Sequence, residues 1–146
     1  MDENGRNIYY NARRAAGLTQ ARWAEILGVS ESAVRKYESG EILPEDDIVL
    51  SMADFSGLQI LGTWHLRRKS MVAAQVLPPV ERLPLAQAVV QLLAAIRDFH
   101  ARHTDALLHI ASDGRVAPEE LERFRGIVRD LHPLIQAAMQ IDYAER

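Results

Sequence analysis

The stretch from Thr19 to Gly40 constrains the fold of this chain more than any other part; its sequence is TQARWAEILGVSESAVRKYESG. Apolar residues recur there at helical spacing on both sides of Gly28, so each half can bury one face against a shared core. They are Trp23, Ala24, Leu27, Val29, Val34 and Tyr37. Gly28 has no Cβ and can adopt the positive φ of a tight turn, and Ser30 is a good N-cap. The pattern predicts a helix, a turn and a second helix.

A longer set of residues extends this pattern in both directions. It consists of Gly17, Leu18, Thr19, Gln20, Ala24, Leu27, Gly28, Val29, Ser30, Glu38, Gly40 and Pro44, followed by Val49, Met52, Ala53 and Gly57. With these residues the chain resembles the DNA-binding domain of lambda-repressor-like, XRE-type regulators. The strings NARRAAGLTQ and YESGEILPEDDIVLSMAD also resemble a group of phage-like bacterial regulators that carry a second helical region. The resemblance covers roughly residues 1–70 and implies binding to double-stranded DNA.

We expect an all-α fold. In it, a five-helix lambda-repressor-like headpiece over residues 1–70 is followed by a C-terminal helical hairpin or bundle. The first helix is predicted over residues 6–16, and the third over about residues 30–38. A fourth begins near Pro44, where three following acids suit a helix N-terminus. A fifth, over about residues 58–69, closes the headpiece.

The C-terminal half is predicted to be a separate helical region. Pro78, Pro79 and Pro84 disfavour helix, so we expect a Pro-containing linker over residues 71–84 and a helical oligomerisation or regulatory region over residues 85–146. Apolar seams with alternating steps of four and three run through that region. The first seam is Leu85, Val89, Leu92, Ile96, Phe99 and His103. The second lies on one last helix from Pro118 and is Leu121, Phe124, Val128, Leu131, Ile135, Ala138 and Asp142.

The second seam is broader than one partner helix covers, because Ile127, Leu134 and Ile141 widen it. We therefore expect a homodimer through the C-terminal helices; the alternative is a monomeric bundle whose surplus face the headpiece covers. The net charge of the chain also favours a dimer. The chain has 17 Lys and Arg against 20 Asp and Glu, a net charge of −3. Weak non-specific attraction to phosphates favours two copies on one duplex.

The resemblance implies a role in DNA contact for several residues. Gln20 matches a residue that bonds a phosphate at the start of the second helix. The outward side of the third helix matches the surface that family members insert into the major groove; its residues are Ser30, Glu31, Ser32, Arg35 and Lys36. There, Arg or Lys can pair with guanine O6 and N7, and Glu31 can accept from cytosine N4, which predicts G·C pairs in a half-site. Two alternatives stay open: Glu31 only stabilises the helix dipole, and Arg35 and Lys36 only contact phosphates.

Other charged residues receive structural roles from the same resemblance. Arg13 and Glu38 match positions that form an internal ion pair in related headpieces, which leaves Arg14 as the phosphate candidate on the first helix. The three cations at 67–69 either contact the DNA backbone or stabilise the end of the fifth helix. Trp23 stands where the family usually has leucine, so we expect the packing around it to differ.

No pattern in the sequence predicts catalysis, a cofactor or a metal site. The chain has no cysteine, no glycine-rich phosphate motif and no nucleophile elbow. A turn around Asp113 and Glu120 mimics a calcium loop, but His109 stands where an oxygen ligand is needed. His100, His103 and His109 do not project as one set of three ligands. We therefore predict no metal, no cofactor and no enzymatic activity.

The function predicted from these observations is that of a sequence-specific regulator that binds double-stranded DNA. We expect it to act as a repressor and to bind an inverted repeat as a dimer. The alternative is a helical protein-interaction adaptor, for example antitoxin-like, that uses the headpiece without reading bases. The sequence shows no signal stretch at its start and no apolar run of about 20 residues, so we expect a cytoplasmic protein without a membrane span.

Overall fold

The structure, a computed structural model, describes residues 7–112 and 114–145. Within these residues every regular element is a helix and no strand is present, which confirms the predicted all-α fold. Arg6, where the predicted first helix begins, and Asp113 of the calcium-like turn lie outside the described residues. The chain divides between residues 79 and 80 into two compact units, named here the N-terminal unit and the C-terminal unit.

The N-terminal unit begins with the predicted five-helix headpiece. Its helices are α1 (Ile8–Ala15), α2 (Gln20–Leu27), α3 (Glu31–Ser39), α4 (Asp46–Ser56) and α5 (Ile60–Lys69), followed by α6 (Met71–Val76). Polar side chains cap the helix starts where the sequence places good acceptors. At α1, for example, Asn7 Oδ1 accepts from the backbone amides of Tyr9 and Tyr10, both at 3.1 Å.

Helix α6 lies in the stretch that the sequence analysis assigns to a linker. It forms because Ser70 caps it, accepting from the amide of Ala73 at 3.2 Å, and because the prolines begin only after it. The guanidinium of Arg67 donates to the carbonyl of Ala74 at 3.0 Å and to the carbonyl of Leu77. These bonds give Arg67 a structural role at the end of α6.

Trp23 belongs to the core of the N-terminal unit, and its side chain is 0% exposed. The other buried members are Tyr9, Ala12, Ala24, Leu27, Val34, Tyr37, Val49, Met52, Ala53, Leu58 and Leu61. Trp23 Nε1 has no hydrogen-bond partner among the described residues. A buried N–H without an acceptor costs about 1–3 kcal/mol. The indole N–H thus opposes folding, and the contribution of Trp23 to stability comes from the apolar volume that its ring fills in the core.

A chain of polar side chains joins α1, α4 and α5 beside this core. The Nδ1 of buried His65 lies 2.8 Å from the hydroxyl of Tyr9, and its Nε2 lies 3.1 Å from Asp46 Oδ1. Lys69 donates to the same oxygen at 2.7 Å. Burial raises the pKa of Tyr9 to about 12. Hydrogen bonds from Lys69 and His65 lower the pKa of Asp46, so this carboxylate holds the start of α4 against α5 in its ionised form.

Replacing Asp46 with asparagine is expected to make the N-terminal unit less sensitive to acid. The pKa of Asp46 is lower in the folded chain than its ordinary value of 3.8. Its contribution to stability is therefore fully present above that value and is lost as the pH falls through the folded pKa. Urea denaturation should show the stability difference between wild type and Asp46→Asn shrinking at low pH. Asp47→Asn, in the same helical turn, is the matched control. If the stability difference from wild type shrinks equally for both variants as the pH falls, the prediction is contradicted.

The C-terminal unit consists of α7 (Leu85–Ala111), a short 3-10 turn (Pro118–Glu120), α8 (Leu121–Asp130) and α9 (His132–Asp142). The prediction of a single last helix is wrong, because two helices stand in its place. Pro133, in the first turn of α9, has no amide hydrogen and its ring crowds the carbonyl of the fourth residue before it. α8 therefore ends before Pro133, and α9 starts there, where proline is well tolerated.

Helices α7 and α8 bury a small core of their own. Ala106, Ile110 and Ile127 are its buried members, with Phe99, Leu107 and Phe124 packed around them. Beside it, Asp130 Oδ2 lies 2.9 Å from His103 Nε2 and accepts from Arg102 at 3.1 Å. These two partners lower the pKa of Asp130, His103 having the larger effect. The ion pair therefore reinforces the apolar contact between α7 and α8.

The first half of α7 leaves an apolar face uncovered in the structure. Leu85, Val89, Leu93 and Ile96 follow one another at steps of four, four and three and are between 39% and 61% exposed; they are named here the α7 stripe. On the last two helices Leu121, Val128 and Ile135 of the predicted seam are also exposed, whereas Ile127 is buried. No helix of the described residues combines the length and apolar character that crossing a bilayer requires.

Candidate nucleic-acid interface

Helices α2 and α3 are joined by the tight turn that the sequence predicts. Gly28 ends α2 with φ of 66°, a left-handed conformation that favours glycine. Thr19 Oγ1 accepts from the amide of Arg22 at 3.2 Å and starts α2. Ser30 Oγ accepts from the amide of Ala33 at 3.1 Å and starts α3. The local sequence therefore sets both helix starts and the turn between them.

The outward face of α3 is polar. The structure places all five residues of the predicted recognition surface in exposed positions: Ser30, Glu31, Ser32, Arg35 and Lys36. The opposite face of α3 carries Val34 and Tyr37, which are buried in the core. Because the apolar side anchors the helix, the polar side is presented on a rigid support.

Both cations of this face are paired with acids. Arg35 Nη1 lies 3.1 Å from Glu31 Oε1, and Lys36 Nζ lies 3.2 Å from Glu41 Oε1. Ion pairs at such exposed positions contribute about 0–1 kcal/mol, so little free energy is lost when they break. Sequence reasoning missed Glu41. The left-handed turn at Gly40 brings it back towards α3, where its amide donates to the carbonyl of Lys36 at 3.0 Å.

Arg13, Glu38 and Gln20 form one cluster at the edge of this face. Arg13 donates to both oxygens of Glu38, at 2.5 Å through Nε and 3.0 Å through Nη2. Its Nη1 donates to the carbonyl of Leu18 at 2.8 Å. The hydrogen bond to Glu38 raises the pKa of Arg13, and the guanidinium also lies 5.1 Å from the centre of the Tyr10 ring. The cluster ties the end of α1 to the end of α3.

Gln20 joins the same cluster, which the sequence did not predict. Its Nε2 donates to Glu38 Oε2 at 2.8 Å. These two residues are 18 positions apart, so no local spacing could have indicated the contact. Arg14, the phosphate candidate on α1, is exposed. Lys69, at the end of α5, forms an ion pair with Asp46 at 2.7 Å.

In the C-terminal unit, His103 and His109 each contact a different acidic side chain. His103 lies against Asp130, and His109 Nε2 lies 3.7 Å from Glu120. Within residues 7–112 and 114–145, no three acidic or histidine side chains lie close enough to share a metal ion.

Comparisons with known proteins bear on the same part of the chain. Residues 11–60 match the helix-turn-helix domain family. Over 57 residues the chain is 39% identical to the cryptic phage CTXphi transcriptional repressor RstR of Vibrio cholerae; the match covers 37% of this chain and 51% of that protein. The chain thus spans about half the length of this curated relative. No solved structure matches significantly. The two matches confirm, for the N-terminal domain, the resemblance drawn from the sequence.

Proposed function

We propose that this chain, which carries a helix-turn-helix domain over residues 11–60, is a sequence-specific DNA-binding regulator that represses transcription. It binds an inverted repeat as a dimer, with α3 of each copy in the major groove. One observation carries the proposal: α3 and its N-cap hold five polar residues outward, while Val34 and Tyr37 anchor the helix from behind. A helix presented in this way has the width and chemistry that the major groove admits.

In the proposed complex, positioning and reading are done by different residues. Gln20 and the N-terminal amides of α2 bind a phosphate, and exposed Arg14 contacts another. Arg35 and Lys36 exchange Glu31 and Glu41 for guanine O6 and N7, and Glu31 is then available to cytosine N4. Since the two ion pairs being exchanged are exposed, their loss opposes binding only weakly.

The α7 stripe supports the dimer. Its four apolar side chains run along one side of a helix, and a second copy can cover the same stripe about a two-fold axis. Two linked headpieces then bind two half-sites, and the second contact becomes intramolecular. This compensates for the weak attraction to phosphates expected of a chain whose net charge is −3.

Repression needs no further machinery, because a dimer seated on a promoter blocks polymerase by occupying its site. The relative from Vibrio cholerae is itself described as a transcriptional repressor. Selection of bound duplexes from a random pool tests the proposal. We expect an inverted repeat whose half-sites contain G·C pairs. Recovery of no duplex would contradict it and favour an adaptor that uses the headpiece for protein contacts.

Replacing Arg35 with alanine is expected to weaken binding to the selected operator by about 1–3 kcal/mol, the range for a side chain that pairs with a guanine. The matched control is Arg125→Ala. Arg125 is 64% exposed and paired with Glu122 one helical turn away, as Arg35, at 59%, is paired with Glu31. Fluorescence anisotropy with operator and unrelated duplexes measures both. An equal loss on every duplex would show that Arg35 contacts phosphate and does not read a base.

A further inference from the structure

We propose that Glu38 is a positioning residue for DNA binding: it fixes the amide of Gln20 so that this amide meets a phosphate in one set orientation. The inference rests on the proposed function and deepens it. The family resemblance implies only that Glu38 forms an internal ion pair with Arg13. The structure adds the bond from Gln20.

The geometry gives Glu38 two tasks at once. Its Oε1 accepts from Arg13 Nε, and its Oε2 accepts from Arg13 Nη2 at 3.0 Å and from Gln20 Nε2 at 2.8 Å. The side chains of Glu38 and Arg13 are only 7% and 8% exposed. A carboxylate held by a bidentate arginine has little freedom, so the oxygen offered to Gln20 is fixed.

The amide of Gln20 is left with what a phosphate needs. A glutamine amide has two N–H donors, of which Glu38 takes one, and the second remains for an oxygen of the DNA backbone. Gln20 is also the first residue of α2, and backbone amides at a helix N-terminus favour an anion. Ordering of this flexible side chain occurs when the protein folds, so it does not oppose DNA binding.

Arg13 makes the arrangement compatible with DNA. A lone carboxylate beside a phosphate would repel it, but the guanidinium of Arg13 balances the charge of Glu38 at hydrogen-bond distance. The pair therefore presents no net charge to the backbone, and the remaining donor of Gln20 determines the contact.

A double-mutant cycle on DNA binding tests the coupling. In the wild-type chain, Gln20→Ala should weaken binding about fivefold on the operator and on unrelated duplexes alike, because a phosphate contact carries no sequence information. In a Glu38→Ala background the same change should weaken binding less than about twofold. Gln20→Asn, whose amide is too short to reach Glu38, should behave like Gln20→Ala. Equal losses in both backgrounds would overturn the inference.

A second measurement needs no change at Glu38, whose loss strands a buried guanidinium and threatens folding. In the wild-type chain without DNA, ¹⁵N relaxation of the Gln20 side-chain amide should give an order parameter near that of rigid backbone, about 0.85. The side-chain amides of Gln75 and Gln91, both exposed, are internal controls. A Gln20 amide as mobile as these would overturn the inference while leaving DNA binding intact. Failure of the wild-type chain to bind any duplex would instead overturn the proposed function, and this inference with it.

Discussion

Trp23→Ala is expected to destabilise the N-terminal unit by about 3–5 kcal/mol, the usual cost of removing a buried aromatic side chain from a core. The indole is 0% exposed and packs among residues of the first five helices. Alanine leaves a cavity that the close-packed side chains of the core can fill only in part. For a unit of this size the loss approaches the whole stability. Urea denaturation followed by circular dichroism and fluorescence measures it.

Trp64→Ala is the matched control for that variant. The two tryptophans of the chain both lie in the N-terminal unit, so the fluorescence of the remaining indole reports this unit in each variant. Trp64 is only half-buried and packs at the edge of the core, so its removal should cost clearly less. Equal losses for the two variants would contradict the prediction that the complete burial of Trp23 sets its larger cost.

The helix-turn-helix could be predicted from the sequence because each of its determinants acts locally. Thr19 and Ser30 bond amides three residues ahead of them, and Gly28 needs only its own freedom to adopt positive φ. Short-range chemistry of this kind is written directly in residue order. The exposed face of α3 follows from helical periodicity alone.

The structure of the C-terminal unit was harder to predict, because its apolar pattern runs through a helix break. The seam continues regularly past residue 131, which predicted one helix, but Pro133 starts a new one. The buried residue Ile127 had been assigned to the margin of the stripe. When apolar residues occupy more than one side of a helix, spacing cannot decide which side is covered.

The ion pairs and hydrogen bonds of the candidate interface depend on tertiary geometry, and the sequence indicated only some of them. The contact between Gln20 and Glu38 joins the start of one helix to the end of the next, and Glu41 reaches Lys36 across a left-handed turn. Such contacts can be predicted only when the crossing of the helices and the conformation of the turn are already known. Sequence reasoning assigned Gln20 to a phosphate and Glu38 to Arg13, and it did not consider Glu41.

Leu93→Glu is expected to convert the proposed dimer to monomers and to weaken binding to an inverted repeat about a hundredfold or more, the gain that linking two binding modules commonly gives. Leu93 is the most exposed residue of the α7 stripe, at 61%, so a glutamate there should not disturb the fold of one copy. In a dimer it would place a charge in an apolar interface, where it is costly. Sedimentation at micromolar concentration and operator titration measure the two effects.

Gln91→Glu adds the same charge to the same helix two residues away, pointing to the opposite side, and is the matched control. It should remain dimeric and bind the repeat like wild type. Binding of Leu93→Glu to a single half-site should also be unchanged, because α3 is untouched. If the wild-type chain sediments as a monomer with and without DNA, the stripe is not a dimer interface. If Leu93→Glu also weakens half-site binding, its effect lies in the fold and not in assembly.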